Sequence, residues 1–344
     1  MEQKKLKFEI SYTLDLLCFL DKLADTSPYE EKTEIVTQFR DALTPESHKR
    51  LKRIKKCLPK KESIQSLIAP LIVADENFLD LKIVKTSEIL GNSRYLINQF
   101  KKSPQFKKIS PTYKKFLKKR APEVISNLED IVKDLEQTKF KSYWLSKKLV
   151  IIKRKITDYQ LTITPLNLSS LISDWSGTKL DISEKNIYVL TFSNKEISSL
   201  LNGDYIVSSL KSTNQLIRAL INEAFESESF KAELRPLIKK FKKNKRLMMA
   251  FKTVKKEYRT ISDYIQSNLI LAITTYLNEQ TGAITHPHEY LKAHHFGTHK
   301  IAILFYEYIN LFPKSAIQPL NEYILELLDC VDLQDFEQDI ERLS

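Results

Sequence analysis

Five glycines serve 344 residues, at 91, 177, 203, 282 and 297. A chain this poor in glycine has few positions that reach positive φ without strain. No G-x-G-x-x-G or Walker pattern exists, so phosphate-cradling glycine loops are excluded. Helix needs no left-handed residues, and long charged and apolar stretches favour it. Helix starts with proline in the first turn recur as "SPYEE" (Ser27-Pro28), "TPESH" (Thr44-Pro45) and "SPTYK" (Ser110-Pro111). With "SEILGNSRYLINQFKK" and "APEVISNLEDIVKDLEQTKF" between and after them, residues 1–142 read as a mainly helical region. The opening "KFEISYTLDLLCFLDKL" starts with strand-like alternation and continues as an apolar amphipathic segment.

The pattern changes near Tyr143. "KKLVIIKRKI" (147–156) and "DYQLTITPLNL" (158–168) are rich in β-branched residues, and "KNIYVLTFS" (185–193) and "GDYIVSSL" (203–210) follow between turn residues. Each is expected to form a strand. A long helix is then expected from Thr213 to about Phe230, with Leu216, Ile217, Leu220, Ile221, Ala224 and Phe225 on one face. A basic helix follows. After it comes an apolar helix, "ISDYIQSNLILAITTYLNEQTG", with Ser262 expected as its cap and Gly282 as its stop. Strands do not alternate with helices along the chain. The expected class is therefore α+β, predominantly helical, with 143–344 as the second domain.

Hydrophobic residues make up 42% and charged residues 28%, which supports folding throughout. Net charge is +12. The runs "HKRLKRIKK" (48–56), "KKFLKKR" (114–120) and "KKFKKNKR" (239–246) raise nucleic-acid binding as one reading. Lysines greatly outnumber arginines, whereas base-reading interfaces use arginine forks, and a lysine-rich solvated surface explains the runs as well. Phe116 and Phe241 interleave them at a spacing that suits core anchoring better than base stacking. Cys18, Cys57 and Cys330 are far apart and suggest neither a zinc ribbon nor a disulfide framework. No apolar run approaches the ~20 residues of a membrane span. With no secretory leader in "MEQKKLKFEISYTL", the cytoplasm is the expected setting.

Five of the six histidines lie between 286 and 299: His286, His288, His294, His295 and His299. His295 and His299 stand four apart, a metal-binding spacing on a helix, but Gly297 lies between them. "HEYLK" carries Lys292 where H-E-x-x-H has its second histidine, and an ammonium repels a metal ion. This spacing favours a polar helix with exposed histidines over a metal site.

The helix "LIRALINEAFESESF" (216–230) carries N-E-x-x-E: Asn222, Glu223 and Glu226. With histidine at 222 and 226 it would be the H-E-x-x-H zinc helix, in which two histidines bind zinc and the glutamate activates water. With strands before it and an acid-led helix at Asp263 after it, this layout resembles bacterial metallopeptidase-like proteins of the gluzincin type. The resemblance implies a zincin-like second domain with a small sheet packed on the motif helix. It implies metal positions at Asn222, Glu226 and Asp263 and a general base at Glu223. His288, His294, His295 and His299 would form a second wall of the cleft. Asparagine binds zinc poorly, and an oxygen-rich set suits Mg²⁺, Ca²⁺ or Mn²⁺ better. The expected function is a catalytically inactive relative, without cofactor, that binds a peptide or protein in the old cleft. The alternative is a metal-dependent hydrolase using zinc or another divalent ion through Glu226, Asp263 and a histidine of the cluster.

Overall fold

The computed structural model describes residues 6–26, 33–60, 62–74, 86–107, 109–176, 185–193, 197–200, 204–241, 245–254, 256–294, 299–315 and 317–330. The chain is predominantly helical α+β. It divides into two compact units, one of 7–158 with 185–211, the other of 1–6, 159–184 and 212–344.

The first unit opens with strand β1 (Lys7–Glu9) and helix α1 (Tyr12–Leu23). Helices α2 (Glu34–Asp41), α3 (Pro45–Cys57), α4 (Ile64–Val73), α5 (Thr86–Gly91), α6 (Ser93–Lys102), α7 (Pro111–Lys119), α8 (Ala121–Gln137) and α9 (Phe140–Tyr143) follow. Pro45 and Pro111 occupy first-turn positions as expected, with Thr44 and Ser110 capping. The start expected at Ser27-Pro28 lies outside the described residues. A single π turn, Trp144–Lys148, leads into α10 (Leu149–Ile163).

Helix α10 corrects the sequence reading, which expected strands here. Ile152, Ile156, Tyr159 and Ile163 recur at three- and four-residue steps, and all four are buried. That stripe has the helical period, and packing it overrides the β preference of the branched residues.

The sheet comprises β1, β2 (Asn186–Leu190), β3 (Ile197–Ser199) and β4 (Tyr205–Ser208) in the order β1-β2-β4-β3. β1, β2 and β4 run parallel, and β3 is antiparallel to β4. Ile187 to Leu190 and Tyr205 to Ser208 are all buried, the unalternating pattern of parallel strands covered on both faces.

Asp15 ties this unit together. Its fully buried carboxylate accepts from Trp144 Nε1 (2.7 Å), Thr191 N (2.9 Å), Thr191 Oγ1 (2.7 Å) and Phe192 N (2.8 Å). Burial pushes its pKa up, and these four donors pull it down. Asp21 does similar work at the start of α4, accepting from Ile64 N at 2.6 Å and Gln65 N at 2.9 Å. Of the basic runs, Phe116 is 2% exposed and belongs to the core, so it offers no stacking face. The side chain of Phe241 lies outside the described residues.

The second unit holds α11 (Leu168–Ser176), α12 (Thr213–Phe225), α13 (Glu228–Phe241), α14 (Lys245–Thr253) and α15 (Ile261–Gln280). Then come α16 (Pro287–Ala293), α17 (Lys300–Leu311) and α18 (Leu320–Cys330). Helix α15 is its axis: α12, α13, α14, α16 and α17 all pack on it. Among the described residues no helix is long and apolar enough to cross a membrane.

Two further expectations are corrected here. The single helix expected over 213–230 breaks after Phe225. Ser227 starts α13, its Oγ accepting from Phe230 N at 3.4 Å and its carbonyl from Lys231 N at 3.0 Å. The cap of α15 is Thr260 rather than Ser262. Thr260 Oγ1 accepts from Asp263 N, and the Asp263 carboxylate accepts from Thr260 N, each at 3.1 Å. Gly282, at φ 72°, ends the helix as expected.

Candidate functional site

Helix α12 is fixed at its start by a reciprocal cap. Ser212 Oγ accepts from Gln215 N at 3.2 Å, and Gln215 Oε1 accepts from Ser212 N at 2.9 Å. Leu216, Ile217, Leu220, Ile221, Ala224 and Phe225 are buried. This apolar face packs α12 on α15 and turns Asn222 toward a cavity. One turn on, Glu226 forms the C-cap, its N–H donating to the Asn222 carbonyl at 2.8 Å.

The cavity has a volume of about 270 Å³. From α15 it takes Ser267, Ile270, Leu271 and Thr274, which share one helix face at steps of three and four. From α12 come Asn222 and Glu226, and from the stretch before α15 come Glu257 and Tyr258. His294 and His299 complete the lining.

Polar residues of α15 hold these walls. Buried Asn268 accepts from Ala302 N at 2.9 Å, which fixes the first turn of α17 and hence His299 just before it. Gln266 Nε2 donates to the Lys231 carbonyl at 2.9 Å, fixing α13. His299 Nε2 and the Tyr258 hydroxyl are hydrogen-bonded at 2.9 Å. The His294 and His299 ring centroids are 5.3 Å apart, and Tyr290 lies 5.4 Å from His294. Lys231 Nζ pairs with Glu226 Oε2 at 2.5 Å.

One atom of the site is left wanting. Among the described residues, Asn222 Oδ1 is enclosed and finds no hydrogen-bond donor. An enclosed unpaired acceptor costs about 1–3 kcal/mol.

The structure thus brings together four of the residues singled out from sequence: Asn222, Glu226, His294 and His299. Glu223 and Asp263 are not among the lining residues, and the Asp263 carboxylate is taken up by its helix cap. His288 stands elsewhere, hydrogen-bonded to Glu307 of α17 and edge-on to Tyr306 at 5.4 Å. Burial, with Glu279 beside it, pushes the Tyr306 hydroxyl up in pKa, so it stays protonated and donates to that carboxylate at 2.6 Å. His295 lies outside the described residues.

Zinc suits three convergent nitrogen, sulfur or carboxylate ligands. Among the described residues no group of three His, Cys, Asp or Glu side chains is placed to hold a metal ion. Of the positions the resemblance implies for a metal, Asn222 and Glu226 line the cavity and Asp263 does not.

Sequence reasoning missed Glu257, Tyr258, Ser267 and Thr274. The α15 pair had a readable signal, since Ser267 and Thr274 are polar positions seven apart in an apolar helix. Glu257 and Tyr258 precede the helix and carry no periodic mark. No protein-family model matches this chain, and neither a curated protein nor a solved structure matches it.

Proposed function

We propose that this chain is a binding protein without peptidase activity, and that it takes a segment of a peptide or protein partner in the cavity between α12 and α15. On this reading the protein is a metallopeptidase-like relative that kept a cleft and lost the zinc helix's ligands. The observation that carries the proposal is the cavity itself: it joins the two motif positions, Asn222 and Glu226, to His294 and His299 of the histidine cluster. Cys18 and Cys57 are free thiols, which suits the proposed cytoplasmic setting.

The test uses untagged, metal-stripped full-length protein panned against a random peptide library. Selected peptides are expected to bind it intact and to lose binding to Ser267→Phe, which fills the cavity and keeps the melting temperature. Metal-dependent cleavage of those peptides, abolished by Glu223→Gln, would instead establish the hydrolase reading.

A further inference from the structure

The geometry points to a basic side chain, lysine or arginine, as the part of the partner that enters the cavity; this rests on the reading that the cavity binds a peptide. A cavity of about 270 Å³ suits one long side chain of a bound peptide. Two exposed carboxylates, Glu226 and Glu257, stand on the wall, and among the described residues no lysine or arginine lines it. Among the described residues Lys231 pairs with Oε2 of Glu226, and no ion pair holds Glu257, which leaves carboxylate oxygen on the wall for a ligand cation.

The remaining lining fits the same ligand. Tyr258, His299 and His294 form a run of rings, with Tyr258 to His299 at 5.7 Å and His299 to His294 at 5.3 Å. Of these rings the phenol face of Tyr258 attracts ammonium and guanidinium groups. Ile270 and Leu271 offer apolar wall to the methylene stem such a group travels on. Thr274 Oγ1 donates its proton to the Leu271 carbonyl at 3.1 Å, so toward the cavity it presents lone pairs. An acidic ligand would meet two carboxylates.

The experiment follows the ring resonances of His294 and His299 by NMR while blocked amino acids are added to the full-length protein. The probes are the N-acetyl, N-methylamide derivatives of lysine, arginine, norleucine and glutamate. Lysine or arginine is expected to shift both histidines at concentrations where norleucine and glutamate do not. The double variant Glu226→Gln, Glu257→Gln is expected to weaken that binding at least tenfold with its fold intact. Equal shifts from norleucine and lysine, or binding unchanged in the double variant, overturn the basic-side-chain inference and leave the cavity as a binding site. No shift from any probe overturns the inference, and peptide binding that survives Ser267→Phe overturns the reading beneath it.

Discussion

Asn222 is the residue on which sequence and structure meet most closely. The motif N-E-x-x-E places it where a zinc helix has histidine, and the fold places it on the cavity wall. Its oxygen finds no donor among the described residues, so replacing it by a hydrocarbon of similar shape removes a desolvation cost. Asn222→Leu is expected to raise the unfolding free energy by about 1 kcal/mol, read from urea denaturation, while weakening binding of the selected peptides. A loss of stability would mean that the amide makes a contact that matters to the fold. Glu226 shows the limit of reading by residue type. Its spacing from Asn222 was legible, but its place at a helix end was not. The chain "AFESESF" has no glycine or proline to mark a stop. The break comes from Ser227, which starts a new helix instead of continuing the old one.

Elements were legible where one signal dominated and obscure where two competed. Proline in a first turn marked α3 and α7 in the sequence. In α10 the β-branched residues pointed to strand while their spacing pointed to helix. The spacing prevailed: Ile152, Ile156, Tyr159 and Ile163 keep the helical period and each is buried. The start of α15 offered two hydroxyls, Thr260 and Ser262, and Asp263 decided between them. A carboxylate three residues after the cap closes the reciprocal box only with Thr260. Thr260→Ala is therefore expected to cost about 1 kcal/mol, whereas Ser262→Ala leaves both cap bonds intact; thermal melts of the pair check this. The same box holds Oδ2 of Asp263, a metal position by resemblance, at the helix start, and Asp263 does not line the cavity. His299 reached the site for a reason that sequence spacing could not supply: Asn268 anchors the start of α17 through Ala302.

At the scale of the whole molecule, each unit is held by a few buried polar side chains among many apolar ones. In the first unit Asp15 bridges α1, the π turn at Trp144 and the end of β2. An asparagine there keeps one acceptor oxygen and turns an N–H toward the donors the second oxygen served. Asp15→Asn is expected to lose about 3 kcal/mol of unfolding free energy, measured by urea titration, and a near-neutral result would deny Asp15 this role. In the second unit Asn268 and Gln266 tie α17 and α13 to α15, and the cavity lies among the elements they fix. The predominantly helical α+β class was legible from glycine scarcity and helix starts. The cavity's full lining was not, because it draws on residues from 222 to 299 that only packing brings together. The central claim is that this cavity binds a partner segment without metal chemistry. The measurement that tests it most directly is calorimetric titration of a selected peptide into metal-stripped protein, wild type and Ser267→Phe, with and without added zinc. The expected result is one affinity for wild type, unchanged by zinc, and no binding to the filled variant. Binding that appears only with zinc, or that survives Ser267→Phe, would contradict it.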